Sequence, residues 1–318
     1  MGARSLRPTG GLWQNSSMPS PAQLSSLARW IGDRRRLVVL TGAGCSTESG
    51  IPDYRDETGA WKRPSPMTYQ DFTGSPEARR RYWARAAIGW QRMRSVQPGR
   101  AHRALALLEQ AGLVNCLITQ NVDGLHQRAG SQRVIDLHGR IDTVQCLACG
   151  QTLKREQVQS GLEAANPGWS ALPAAAAPDG DAVIEEAACE RFTLIDCPSC
   201  GGILKPAVVF FGESVPAEVV QKAYAAVEGA DGLLVVGSSL MVYSGYRFVR
   251  TALERGVSIA LLNRGRTRAD AEASIKIEAA CGEVLEAVVQ RVLGFPRQMP
   301  GETSITIDCW PSILDQRK

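Results

Sequence analysis

Four cysteines in two C-x-x-C pairs, Cys146/Cys149 and Cys197/Cys200, carry the strongest chemical signal in this chain. Two such pairs supply four thiolates, the donor set of a tetrahedral structural zinc site with no open position for catalysis. Gly150 and Gly201 follow the second cysteine of each pair, where a tight knuckle turn wants a small residue. The gap between the pairs is much longer than in a compact zinc ribbon, which is tolerable because loop-closure entropy grows slowly with length. The alternative, a redox C-x-x-C, is disfavoured by there being two pairs.

Gly42-Ala43-Gly44 directly follows the apolar run Leu37–Leu40. A dinucleotide site needs such a strand-to-helix turn, where glycines let backbone amides approach a pyrophosphate. The motif is weak alone, because Cys45-Ser46-Thr47 follows and the full G-x-G-x-x-G is absent; a glycine turn of any α/β protein fits equally well. Other polar groups stand where strands end: Gln120–Asp123, His138, Gly237-Ser238-Ser239 and Asn263. In a doubly wound sheet the ligand sits beyond the carboxyl ends of the strands, so five such ends on one edge say more than any single motif. The chain has three histidines. His138 directly follows a strand and is the candidate general base; His102 opens a helix and His126 follows Asp123-Gly124-Leu125, places that suit capping or packing.

These residues need a scaffold. Leu24, Leu27, Ala28 and Ile31 recur at helical spacing and predict a helix over Pro21–Asp33. Strands are expected at Leu37–Leu40, Val114–Thr119, Val134–Leu137, Val208–Phe211, Gly232–Val236 and Ser258–Leu262. Helices are expected at Ala101–Gln110, Pro216–Glu228, Tyr246–Arg255 and Gly282–Leu293. Alternating strands and helices imply a parallel sheet covered on both faces. Residues 55–100, with Trp61, Trp83, Trp90 and many arginines, are expected to leave the sheet as a loop followed by helices. Ala164–Glu186, rich in Ala, Pro, Gly and acids, is expected to be a long loop.

The chain has 318 residues and a net charge of +4. Six arginines and Asp33 give the first 36 residues +5, leaving the rest near −1 by subtraction. A nearly neutral body argues against a broad phosphate-binding face and hence against nucleic acid. No apolar run approaches the roughly 20 residues of a membrane span. Nine cysteines, five of them scattered (Cys45, Cys116, Cys189, Cys281, Cys309), suit a reducing compartment better than a disulfide framework. The arginine-rich start is compatible with a disordered bacterial extension, a transit peptide or an upstream start codon with Met18 as the true one. The first reading is preferred and places the protein in the bacterial cytoplasm; the second would place it in the mitochondrial matrix.

The ordered motifs Gly42-Ala43-Gly44-Cys45-Ser46, Gly50–Arg55, Thr119–His126, Leu137-His138-Gly139, the two cysteine pairs, Lys205–Glu213 and Val236–Leu240 resemble the sirtuin family over about residues 22–295. Pro52-Asp53-Tyr54-Arg55, Tyr82-Trp83-Ala84-Arg85 and the segment from Asn263 to Asp270 resemble its class II lineage, which includes the mitochondrial sirtuin 4 of animals. The long segment between the cysteine pairs fits that lineage too. The resemblance implies an α/β fold: a Rossmann-like doubly wound parallel sheet with a smaller zinc-binding domain and a helical insertion. Its parts would be a disordered extension over 1–21 and a catalytic domain over 22–296, followed by a peripheral tail over 297–318. Within the catalytic domain, Rossmann-like segments are expected at 22–54, 101–140 and 205–296, the insertion at 55–100 and the zinc module at 141–204.

The resemblance further implies NAD-dependent removal of acyl groups from lysine of proteins or peptides, with one structural zinc per chain and a monomeric enzyme. His138 would be the general base, and Asn121 and Asp123, with Ile51 and Asp53, the nicotinamide pocket. Tyr54 and Arg55 would sit on a mobile loop over NAD. Gly42, Ala43, Gly44 and Ser46 would meet the phosphates and Gln120 the ribose. Gly237, Ser238, Ser239, Asn263, Arg264, Gly265 and Cys281 would hold the adenosine half. Val208, Val209, Phe210, Phe211 and Gly212 would pair with the substrate backbone by strand addition. Tyr82 and Arg85, three apart on a helix, would hold the carboxylate of an acidic acyl group; the competing reading makes Arg85 one of many solvated arginines. The chain departs from the family at Ser238, usually Thr, and at Cys45, often aliphatic. Three other readings are weaker: mono-ADP-ribosyl transfer from the same pocket, a non-catalytic NAD- or ADP-ribose-binding module, and a zinc-ribbon interaction protein. Asn121, Asp123 and His138 together disfavour the binding module.

Overall fold

The structure is a computed structural model and describes residues 18–56, 58–62 and 66–294. Helix α1 (Pro21–Gly32) is closed by a capping box: the Ser20 hydroxyl accepts from the Gln23 amide, and the Gln23 side chain accepts from the Ser20 amide. Residues 18–21, the end of the extension expected over 1–21, are thus part of the described structure, with Ser20 capping α1. Residues 1–17, the tail from 295 and Cys309 lie outside the described residues.

Strands β1 (Leu37–Thr41), β2 (Val114–Thr119) and β3 (Val134–Asp136) pair in parallel. The chain then leaves the sheet through β4 (Gly139–Cys146), β5 (Thr152–Lys154), a small hairpin of β6 (Ala175–Ala176) and β7 (Ala182–Val183), and β8 (Leu204–Val208). It returns to the opposite side of β1 as β9 (Gly232–Val236), β10 (Ser258–Leu262) and β11 (Ile275–Ile277). The order is β11-β10-β9-β1-β2-β3, parallel throughout, so the winding direction reverses between β1 and β9.

The apolar runs have no polar alternation because both sheet faces are covered. Leu37 and Val39 pack with α1, α4 (Arg100–Gln110) and α10 (Cys281–Leu293); Val38 and Leu40 pack with α8 (Ala217–Glu228) and α9 (Tyr243–Glu254). Helices α2 (Tyr69–Gly74) and α3 (Pro76–Ser95) form the expected insertion and pack on the cysteine-bearing module rather than the sheet. The Trp83 indole N–H donates to Leu204 O at 3.1 Å. The buried Arg155, first residue of α6 (Arg155–Ala165), donates to Ala86 O at 3.1 Å. Short helices α5 (Leu125–Arg128) and α7 (Glu186–Cys189) complete the set among the described residues. None of the described helices is long and apolar enough to cross a membrane.

Two expectations change. The strand expected over Val208–Phe211 ends at Val208, because Phe210 N–H turns to the Glu213 carboxylate (2.8 Å) and Phe211 bridges to Thr68. The segment Ala164–Glu186 is not a plain loop: it holds the end of α6, the β6–β7 hairpin and the start of α7.

Strands β5, β4 and β8 form a three-stranded antiparallel sheet. Cys146 ends β4, and Cys197 and Cys200 precede β8. Cys146 Sγ lies 3.5 Å from Cys200 Sγ, Cys149 Sγ 3.8 Å from Cys197 Sγ, and all four sulfurs fall within 4.8 Å of one another. A tetrahedral zinc with Zn–S bonds of about 2.3 Å separates its sulfurs by about 3.8 Å, so the set fits the ion. The two knuckles are equivalent: Gly150 N donates to Cys146 O at 3.0 Å and Gly201 N to Cys197 O at 2.9 Å, each glycine with a positive φ. Elemental analysis should find about one zinc per chain, and Cys200→Ser should remove it and lower the thermal midpoint, since structural zinc contributes folding free energy directly. A metal-free wild-type protein with an unchanged melting curve after chelation would contradict the assignment.

Candidate active site at the switch point

The turns that end β1 and β9 touch. Gly42 N donates to Val236 O at 3.0 Å and Gly44 N to Gly237 O at 2.8 Å. A Cβ on Gly44 would lie 2.9 Å from Gly237 Cα, and one on Gly237 would lie 2.3 Å from Cys45 N. The glycines are thus required by each other as well as by any ligand. Above them opens a cleft of about 1250 Å³. That exceeds the roughly 300–1,000 Å³ of ordinary small-molecule sites and leaves room for a dinucleotide beside a second substrate.

His138 lies in the cleft wall between β3 and β4. Its Nδ1 is 2.9 Å from Gln120 O, a group that can only accept, so Nδ1 carries the proton and Nε2 is the basic nitrogen. Nε2 faces the Ser244 hydroxyl at 2.8 Å. Burial pushes the ring below the ordinary histidine range, Gln120 O opposes this, and Arg247 adds to it. The result is a neutral imidazole with its lone pair toward the cleft. Gly139 must follow it, because a Cβ there would meet Ala207 O at 2.0 Å. Val209 N donates to His138 O at 2.8 Å and ties β8 to the same residue.

A buried polar layer underlies the cleft floor. The Ser46 hydroxyl donates to Asp123 at 2.7 Å and accepts from Asn121 Nδ2 at 3.0 Å. Asn121 Nδ2 also donates to Gly42 O at 3.1 Å. His102 accepts at Nδ1 from Gly99 N (3.1 Å), which leaves its Nε2–H for Ser46 at 3.3 Å. Burial lowers His102 to about 4 and holds the buried His126 well below its usual range. Thr41 bonds both Thr119 (2.8 Å) and His126 (3.0 Å). Ser46, Asp123 and Ile51 therefore stand beneath the floor rather than on it, and the Ser46 hydroxyl is already engaged. Gly265 also lies off the cleft wall, where its carbonyl accepts from Asn263 Nδ2 at 3.3 Å.

The other expected cofactor residues line one continuous wall: Gly42, Ala43, Gly44, Asp53, Tyr54, Arg55, Gln120, Asn121, Gly237, Ser238, Ser239, Asn263, Arg264 and Cys281. Gln120 Nε2 bridges the β1 and β9 ends by donating to Thr41 O (3.2 Å) and Ser238 Oγ (2.8 Å). Ser238 Oγ also accepts from Leu240 N at 3.2 Å, and Leu240 holds φ +58, an unusual value for a buried leucine. Asp53 pairs with Lys62, and Arg55 donates to Gly59 O at 2.8 Å while its guanidinium lies 3.9 Å over Trp61. Burial drives the Cys281 thiol up to about 12, and the Cys45 thiol is likewise raised by burial.

Val208 to Gly212 also face the cleft. The segment is held by the buried Lys205, whose Nζ donates to Val208 O at 2.6 Å and pairs with Glu213 at 3.0 Å. Tyr82 and Arg85 sit at the far end of the same cleft. Tyr82 packs on Phe210 with ring centroids 5.2 Å apart, and Arg85 forms a two-pronged pair with Asp181 of the hairpin. Ser244 and Asp181 are not among the expected residues, and Lys205 and Glu213 stand there only as the ends of a motif. The last three carry ordinary surface-type side chains whose partners emerge only in the fold.

The pattern of the Sir2 family matches residues 42–244. A relative from Xanthomonas axonopodis pv. citri, called an NAD-dependent protein deacetylase, is 57% identical over 260 residues, 82% of this chain and 89% of that protein. One of the same name from Bordetella bronchiseptica is 56% identical over 268 residues, 84% of this chain and 98% of that protein. Among solved structures, a Sir2 enzyme with a p53 peptide and NAD⁺ superposes with a TM-score of 0.68 at 30% identity, covering 86% of this chain and 99% of that one. With the switch-point glycines, the buried polar layer and the four-cysteine module in one chain, the protein belongs to the Sir2 family, the sirtuins.

Proposed function

We propose that the chain is an NAD-dependent protein lysine deacylase. It would convert N6-acyl-lysine, NAD⁺ and water to lysine, nicotinamide and O-acyl-ADP-ribose. The observation that carries the reading is His138: a neutral imidazole in the cleft wall, with Nδ1–H fixed on Gln120 O and Nε2 on the hydroxyl of Ser244, which lines the same cleft. NAD supplies an electrophilic ribose carbon when its nicotinamide bond breaks and the acyl oxygen bonds there. Asn121, fixed by Gly42 O and Ser46, presents the nicotinamide end of the floor. Asp123 acts through Ser46 rather than by contact. The Gly42–Gly44 turn lines the cleft where the phosphates would sit, with Gly42 N and Gly44 N themselves engaged by Val236 O and Gly237 O. The wall from Gly237 to Ser239, with Asn263 and Cys281, suits the adenosine half. His138 Nε2, once released from Ser244, would take a proton from a ribose hydroxyl of bound NAD. The Val208–Gly212 segment offers backbone to an extended peptide.

Mass spectrometry of NAD with acyl-lysine peptides should give O-acyl-ADP-ribose and free lysine; ADP-ribosylated protein without deacylation would overturn the reading. His138→Ala should lower deacylation by roughly 10²–10⁴-fold, the usual worth of a general base, with NAD binding retained. The base works only when neutral, and burial lowers its pKa. The acid limb of kcat/KM should therefore fall below the ordinary histidine value of about 6.5, so that activity is full at pH 7 and lost only at lower pH. A pH–rate profile with its acid midpoint above that value would contradict the burial argument.

A further inference from the structure

The β6–β7 hairpin turns on one residue, Asp181, through its backbone and its side chain. Asp181 N donates to Pro178 O at 3.1 Å, Asp181 O accepts from Ala177 N at 3.0 Å, and Ala182 N donates to Asp181 Oδ1 at 2.8 Å. The hairpin docks on α3 where α3 has no side chain. A Cβ on Gly89 would lie 1.9 Å from Gly180 O, and Met93 and Ile141 flank Gly180. From this seat Asp181 meets Arg85 fork to fork, Oδ1 with Nε at 3.0 Å and Oδ2 with Nη2. That is the geometry in which an arginine takes a free carboxylate. The neighbouring arginines behave otherwise. Arg79 donates to Phe72 O and Thr73 O, both at 3.1 Å, and Arg81 meets Glu186 only at 3.8 Å. Arg85, Asp181, Tyr82 and Phe210 line the same cleft as His138.

Resting on the deacylase reading above, we propose that Asp181 is a built-in stand-in for the carboxylate of an acidic acyl chain, so that the enzyme favours uncharged acyl groups until the hairpin lifts. An incoming succinyl- or glutaryl-type carboxylate exchanges one two-pronged pair for another and gains little. It also competes with a tethered acid whose effective concentration is of millimolar order. The hairpin is made to be displaced. Its strands are two residues each, Ala-Ala against Ala-Val, and Val183 is 49% exposed, so little apolar contact holds it beyond the buried Ala182, the Asp181 pair and the Gly89 seat.

The test compares glutaryl- and acetyl-lysine forms of one peptide, by kcat/KM and by calorimetric affinity. Asp181→Asn keeps the size and the acceptor for Ala182 N while removing the charge. It should raise the glutaryl-to-acetyl ratio by on the order of 10-fold in both readouts, given the millimolar competitor it removes. Gly89→Ala, which drives the hairpin off its seat with Asp181 intact, should shift the ratio in the same direction. Arg85→Met on the Asp181→Asn background should abolish the gain. An unchanged ratio in both single variants, or a gain that survives the loss of Arg85, overturns the proposal. If neither peptide is cleaved, the deacylase reading fails, and the affinity ratio still decides the role of Asp181.

Discussion

The site depends on one close contact between backbones. The β1 and β9 turns belong to opposite directions of winding, and they meet with Gly44 N donating to Gly237 O at 2.8 Å. At that separation no side chain fits on either turn. The contact fixes where β2 must end, because Gln120 reaches across both turns to Thr41 O and Ser238 Oγ. Gln120 O in turn orients His138. A backbone approach made possible by missing side chains thus sets the tautomer of the candidate base, two strands further along the chain from β1.

Directly below, the protein buries an unusual number of polar groups. Ser46, Asn121, His102, Thr41, Thr119 and His126 are nearly inaccessible, and neutral histidines are what such a layer tolerates, since charging them there would carry a desolvation penalty. Around Asn121 the donors have fixed acceptors: Asn121 to Ser46 and Gly42 O, Ser46 to Asp123, and Leu125 N to Asp123 Oδ1 at 2.9 Å. A floor of this kind does not rearrange cheaply, which keeps Asn121 at one place and angle. In the same network the Ser46 hydroxyl is held by Asp123 and Asn121.

Most of the sheet was legible because strands buried on both faces are continuous apolar runs bounded by glycine and polar residues, as at Leu37–Thr41 and Gly232–Val236. Strand β4 was not, since only Ile141, Val144 and Cys146 are buried and its pairing with β8 shifts register between Gly139 and Val144. Helix α9 begins at Tyr243, earlier than the expected Tyr246, because Gly245 argues against a helix interior. The glycine is there for another reason: a Cβ would strike Gln120 Oε1 at 2.6 Å. That earlier start is what brings Ser244 to His138. The β6–β7 hairpin carries almost no β-propensity, and its strands exist through docking and through the Arg85 pair, 96 residues distant in sequence. Pairings of that range leave no local pattern.

The cysteine module and the candidate base are closer neighbours than their chemistry suggests. His138 leads into β4, and β4 ends on Cys146, so one strand connects the base to the metal site. The same strand pairs with β8, whose exit forms the Val208–Gly212 edge, and Val209 returns to His138 O. Trp83 and Phe72 of the insertion pack into the cluster that contains Cys146, Cys197 and Phe210. Insertion, cysteine module and peptide edge therefore share one core, separate from the cores packed on the sheet that carries the NAD wall. Loss of the metal would loosen that body first, and with it the position of the His138 ring relative to Gln120 on the sheet.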